Sequence, residues 1–130
     1  MKYIKVIAAI IKCEDKILIA RRKKGKHLEL KWEYPGGKIE KNEKEDAALK
    51  RELREEFSIE ATISDYLTES FYEYNSININ LKAYLVESFS GDFKLTVHDK
   101  IEWIKIEEIK NYDFAPADIP INDYLIQNGV

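Results

Sequence analysis

Cysteine is nearly absent from this 130-residue chain. The single one, Cys13, excludes an internal disulfide, so no covalent staple frames the fold, and it reads as a small hydrophobe in a reducing, cytoplasmic setting. Five glycines and three prolines leave no collagen-like or low-complexity tract, and no repeat or linker interrupts the chain. Long hydrophobic runs are also missing. Residues 3–11 are apolar but broken by Lys5 and too short to span a bilayer, and no small-residue cleavage site follows them, so neither a membrane segment nor a signal peptide is expected. Nor is basic charge in excess: 21 Lys and Arg against 24 Asp and Glu give a net charge of −3. That balance argues against a protein that grips long nucleic acid through its overall field, so any phosphate must be met locally.

What is present is a composition of 45% hydrophobic and 35% charged residues, which predicts one globular domain over residues 1–130, able to bury about two thirds of its unfolded surface. Residues 3–12 and 16–22 are apolar and β-branched, separated by the turn-like Glu14-Asp15, and predict a hairpin. Residues 32–37 read as a loop punctuated by Pro35-Gly36-Gly37. A helix is expected over about residues 44–57. Extended segments follow at 61–74 and 77–86, where Ile77, Ile79, Leu81, Ala83 and Leu85 alternate with Asn78, Asn80, Lys82, Tyr84 and Val86. A short strand around 101–104 and a terminal helix over 118–127 complete the outline.

The predicted helix carries an electrostatic misfit. Glu52, Glu55 and Glu56 stand at i, i+3 and i+4 and share one helical face. Glu52 and Glu56 are a like-charge i,i+4 pair, which destabilises by about 0.2–0.5 kcal/mol, and only Arg51 opposes the trio from a helical neighbour. The trio also occupies the last turns, where the negative end of the helix dipole costs another anion about 0.3–1 kcal/mol. A hard divalent cation such as Mg2+ or Mn2+ would relieve this crowding, since both take oxygen ligands; a merely solvated charge run is the alternative. Leu49, Leu53 and Phe57 form an i, i+4, i+8 stripe beside the carboxylates, which places the acidic face at the edge of the core.

The one basic run, Arg21 to Lys26, sits at a strand end entering a loop. Lys23, Lys24 and Lys26 read as solvated. Arg22 is the better functional candidate: strand alternation sets it on the face opposite Ile17, Ile19 and Arg21, and its guanidinium suits bidentate phosphate binding.

Gly37, five residues, Glu43, seven residues, Arg51-Glu52-Leu53-Arg54-Glu55-Glu56 and then Ile59 resemble the signature of the Nudix hydrolases. Trp32-Glu33-Tyr34-Pro35-Gly36 before it, with the order of strands and helices, resembles the MutT-like branch, so the likeness covers essentially the whole chain. The resemblance implies an α/β fold with a mixed sheet sandwiched between helices, and hydrolysis of a nucleoside diphosphate linked to another group. Carried over by position, it implies that Glu52, Glu55 and Glu56 ligate Mg2+ together with the carbonyl of Gly36. Arg51 would orient a carboxylate such as Glu55, Gly37 would let the backbone approach closely, and Glu43 would support the loop or a further metal.

Two positions depart from the family pattern. Ser58 stands where glycine is usual, which predicts a slightly altered helix end. Val97 stands where relatives often carry a glutamate, so the general base is open between Glu56 and Asp99, with His98 as a loop alternative. The segment Ala115-Pro116-Ala117-Asp118 resembles the part that holds the base in MutT-like enzymes of the cytidine and modified-pyrimidine type. Asp118 would accept from an amino group there, or simply cap the final helix. Tyr34 and Phe71 or Tyr72 offer apolar or stacking surface, and Lys38, directly after the glycines, is placed to meet a phosphate.

The resulting expectation is a Mg2+-dependent hydrolase, with Mn2+ as a substitute, that converts nucleoside triphosphates to monophosphate and pyrophosphate in nucleotide-pool housecleaning. Its partners would be small nucleotides, with no long nucleic acid and no membrane, and the protein a monomer or homodimer. The alternatives are a hydrolase for nucleoside diphosphate sugars, dinucleoside polyphosphates or capped RNA, and a nucleotide-sensing domain without catalysis.

Overall fold

The apolar run near the start of the chain becomes the central strand, β1 (Ile4–Cys13). The computed structural model describes residues 2–130. One edge of β1 runs parallel to β6 (Asn78–Ser90), with Ile4 opposite Ile79 through Ile11 opposite Val86. The other edge changes partner along its length. Its first half pairs antiparallel with β4 (Gly36–Lys38), and its end pairs with β2 (Lys16–Arg22) through Lys12 with Ile17 and Cys13 with Lys16. Between them the Ala9 amide donates to the Pro35 carbonyl at 2.7 Å. The expected hairpin therefore closes through its turn alone. Beyond it β2 pairs with β7 (His98–Ile104) and with β3 (Trp32–Glu33). This divergence of β2 from β4 opens a cleft beside β1.

β5 (Glu60–Glu73) joins the outer edge of β6 in antiparallel register. Residues 7–11 of β1 are buried on both faces, as their unbroken apolar sequence requires. Ile7, Ala9 and Ile11 pack beneath α1 (Glu45–Phe57) with Ala48, Leu49, Leu53 and Phe57, whereas Ala8 and Ile10 face Ile121 and Leu125 of α2 (Ile119–Asn128). The alternation read in residues 77–86 divides the same way, with Leu81 and Ala83 in the α2 core and Val86 in the α1 core. The result is a mixed sheet between helices.

Three expectations change. Residues 32–37, read as loop, contribute to β3 and β4, because a neighbouring strand supplies ladder bonds that the local sequence does not reveal. The strand expected at 101–104 begins at His98, extended by pairing with Arg22 across a register shift in β2. The helix end is unaltered at Ser58: the residue itself adopts the left-handed conformation, φ 59° and ψ 33°, and its amide caps the helix by donating to Arg54 O at 3.1 Å. The cost appears as strain in one non-glycine residue. Among the described residues no helix is long and apolar enough to cross a membrane.

Candidate active site

α1 is fixed by the four apolar side chains that bury its inner face, and this sets the acidic face over the cleft beside β4. Glu52 is half-buried, Glu55 exposed and Glu56 half-buried, and all three line a cavity of about 1050 Å³. Gly37 makes room for them. A Cβ there would meet the Glu52 carboxylate, and one on Gly36 would meet the Ile7 backbone carbonyl. The two glycines thus let a strand pass directly under the acidic face and against β1.

Arg51 gathers the surrounding carboxylates. Its Nε and Nη2 donate to the two oxygens of Glu43 at 2.8 and 3.0 Å, and Nη1 donates to Glu52 and Glu55, each at 2.9 Å. Nη2 also donates to Lys38 O at 3.0 Å, tying the helix to the end of β4. Glu43 in turn accepts from the Glu40 amide at 3.0 Å and closes the loop before the helix. Bidentate pairing with Glu43 is the largest influence holding Arg51 protonated, and the same contact lowers the Glu43 carboxyl below its usual range.

Among the described residues Glu56 has no such partner. Burial first, then the charges of Glu52 and Glu33, push its carboxyl up to about 8. Glu52 is also raised, chiefly by burial, although Arg51 opposes the shift. The Glu52 and Glu56 carboxyls lie within hydrogen-bonding reach of each other. Two acids so placed hold either a shared proton or a cation between them. The donors are all hard oxygens, which fits Mg2+ or Mn2+ and not a thiolate- or imidazole-preferring metal. Among the described residues no three acidic, His or Cys side chains already close around one point, and Arg51 holds Glu52 and Glu55.

The opposite end of the cleft is built from β3 and the segment before α2. Asp118 lies in a short 3-10 helix (Pro116–Asp118), and its Oδ1 accepts from the Tyr34 amide at 3.2 Å. The contact gives Asp118 a partner in β3 in place of the helix-capping bond considered from sequence; no side-chain cap bond is made. Burial and the charge of Glu33 push its carboxyl well above the usual range. Tyr34 is buried; its hydroxyl donates to Asn122 Oδ1 at 2.6 Å and its ring lies against Phe114. Val6, Ala8, Ile79, Leu81 and Ala117 give this end an apolar floor.

Of the residues singled out by sequence, Arg22, Tyr34, Gly36, Gly37, Lys38 and Asp118 meet the acidic trio in one cleft. Arg22 is partly committed to the protein: Nε donates to His27 O at 2.7 Å and Nη1 to Glu33 Oε2 at 3.1 Å. Asp99 does not belong to the cleft. It lies at the start of β7 in a bidentate pair with Arg21 of β2, at 2.9 and 3.1 Å, an interaction that keeps its carboxyl low and leaves it no part as the base. Phe71 is exposed against Tyr3, also away from the cleft. His98, read as a surface-loop residue, is instead buried. Sequence reading passed over Glu33, which lines the cleft; a lone acid between Trp32 and Tyr34, directly before Pro35-Gly36-Gly37, was its available signal.

Comparison with known proteins shows what the whole chain resembles. A model of the NUDIX domain matches residues 1–125. CTP pyrophosphohydrolase of Escherichia coli K12 is 42% identical over 121 residues, covering 93% of this chain and 90% of that protein. The 8-oxo-dGTP diphosphatase of the same organism is 34% identical over 122 residues, covering 93% and 95%. The solution structure of the E. coli ORF135 protein superposes with a TM-score of 0.88 at 40% identity, covering 98% of this chain and 91% of the other.

Proposed function

This chain belongs to the NUDIX family and is a hydrolase of the MutT type, and on that premise we propose that it is a Mg2+-dependent nucleoside triphosphate pyrophosphohydrolase. The products are a nucleoside monophosphate and pyrophosphate, and the role is removal of surplus or modified nucleotides. One observation carries the reading: a single cleft joins an acidic cluster at one end to a buried hydrogen-bonding carboxyl, Asp118, above an apolar floor at the other. A nucleotide has that same order, with polyphosphate at one end and a flat, donor-bearing base at the other.

Glu52, Glu55, Glu56 and the Gly36 carbonyl would hold the cation, which when bound neutralises charge on the polyphosphate and on the departing pyrophosphate. The chain's own residues supply the rest. Arg51 fixes Glu52 and Glu55 in register with the end of β4. Glu56, the member of the trio that Arg51 does not hold, is the carboxylate left to accept a proton from attacking water. Lys38 and Nη2 of Arg22, which has no acceptor among the described residues, offer positive charge to the phosphates. Tyr34 orients Asp118 through its amide, and Asp118 meets the exocyclic group of the base, favouring a cytosine-type amino donor. The E. coli relative named for CTP supports that preference.

The test is a panel of CTP, dCTP, 5-substituted cytidine triphosphates and 8-oxo-dGTP with Mg2+, scored for pyrophosphate release. Cytidine nucleotides are expected to turn over fastest. Absence of turnover across canonical and oxidised triphosphates alike would sink this substrate class.

A further inference from the structure

His98 and Glu33 form a buried pair that the reading above does not use. His98 opens β7 directly opposite Arg22, where the β2–β7 register shifts between Arg21 and Arg22. Its ring is 1% exposed and stacks on Phe57, with centroids 5.0 Å apart and planes 23° from parallel. Phe57 follows Glu56 on α1, so the imidazole is wedged between the catalytic helix and β3. Its Nε2 lies 2.8 Å from Glu33 Oε2. An ionised carboxylate only accepts, so Nε2 carries the proton and donates.

Arg22 Nη1 donates to that same oxygen at 3.1 Å. Both donors therefore grip Oε2, while Oε1 has no side-chain donor among the described residues. Glu33 lines the cleft between the acidic trio and Asp118, and its charge is felt at both Glu56 and Asp118. A carboxylate pinned by one oxygen presents the other in a fixed direction.

The remaining ring nitrogen shows why a histidine stands here. Nδ1 of His98 is buried with no hydrogen-bond partner among the described residues, an arrangement that costs stability. Phenylalanine or leucine would fill the space beside Phe57 without that cost. What those residues lack is the Nε2–H donor to Glu33.

We propose that His98 is a positioning residue for nucleoside recognition: with Arg22 it locks the Glu33 carboxylate so that Oε1 accepts from a hydroxyl or amino group of the bound nucleoside. The inference rests on the nucleotide reading above.

The experiment is steady-state hydrolysis of CTP with Mg2+ by the full chain carrying His98→Phe, His98→Gln, Glu33→Ala, or His98→Phe with Glu33→Ala. His98→Phe should raise KM about tenfold, the loss of roughly one charge-assisted contact, with kcat changed less than about threefold. His98→Gln, which keeps a donor, should restore most of the affinity. Glu33→Ala should raise KM likewise, and adding His98→Phe to it should raise KM no further. An unchanged KM in His98→Phe, a loss confined to kcat, or full additivity in the double variant would overturn the proposal while wild-type turnover left the nucleotide reading intact. A wild type that cleaved no nucleotide would overturn both. If His98→Phe does not fold, 15N NMR of the wild-type ring decides: a protonated Nε2 whose shift moves in Glu33→Ala supports the pair, and an Nε2 signal indifferent to Glu33 overturns it.

Discussion

Arg51 and Glu43 are joined by two parallel hydrogen bonds, Nε to Oε2 at 2.8 Å and Nη2 to Oε1 at 3.0 Å, across the turn that leads into α1. The pair is the hub of the acidic face, because the nitrogen left over, Nη1, is the one that reaches both Glu52 and Glu55. Arg51→Lys keeps the charge but loses the planar fork. We expect the Mg2+ concentration for half-maximal rate to rise about 10–100-fold, with the fold intact by circular dichroism. A Mg2+ titration of the initial rate checks this.

Gly37 tests the close approach of β4 to the helix. A Cβ there would meet the Glu52 carboxylate, so Gly37→Ala must displace Glu52 from its place beside Arg51. The expected result is a fall in kcat of about 10²-fold, in line with a misplaced catalytic group, with the urea midpoint little changed. Near-normal turnover by Gly37→Ala would show that the position of Glu52 is unimportant.

Ser58 tests a purely structural cost. It holds φ 59° at the end of α1, a conformation that glycine adopts without penalty. Ser58→Gly should stabilise the protein by about 0.5–1 kcal/mol in urea unfolding. Its turnover should equal that of the wild type.

The buried acids fix the pH dependence of stability once divalent cations are chelated. Burial, then Glu52 and Glu33, raise the Glu56 carboxyl from 4.5 to about 8. Between those values the folded chain holds a proton that the unfolded chain has lost. This contribution is therefore fully present below about pH 4.5 and disappears as the pH rises toward 8. Asp118, raised by its own burial, acts in the same direction. In EDTA the urea midpoint should thus decline from pH 5 to pH 8, and Glu56→Gln should decline less steeply. A wild type whose midpoint rises through that window would contradict the assignment.

How much of this was legible in the sequence depends on how local each signal was. The i, i+3, i+4 spacing of Glu52, Glu55 and Glu56 beside Leu49, Leu53 and Phe57 is helical geometry alone, and it located the acidic face and its border with the core. The alternation in residues 77–86 likewise reported a strand. Other features are properties of pairing between distant segments. Trp32 and Glu33 are a strand only because Arg21 and Ala20 lie opposite them. His98 is buried only because β7 extends along β2 to Arg22, and nothing in Val97-His98-Asp99 announces this. The same strand explains Asp99: its side chain turns to Arg21, so an acid two residues from the expected base position lies outside the cleft. Ser58 is the converse case, where a local rule predicted a disturbed helix end and the surrounding packing imposed the left-handed turn regardless.

The central claim, that Glu56 and its neighbours on α1 drive cleavage of a nucleoside triphosphate between its α- and β-phosphates, is tested most directly by 31P NMR of CTP incubated with Mg2+ and either the wild type or Glu56→Gln. The account predicts CMP and pyrophosphate as products from the wild type, and a rate at least about 10²-fold lower for Glu56→Gln, the scale of losing a general base. Orthophosphate with CDP from the wild type, or near-normal pyrophosphate release by Glu56→Gln, would contradict it.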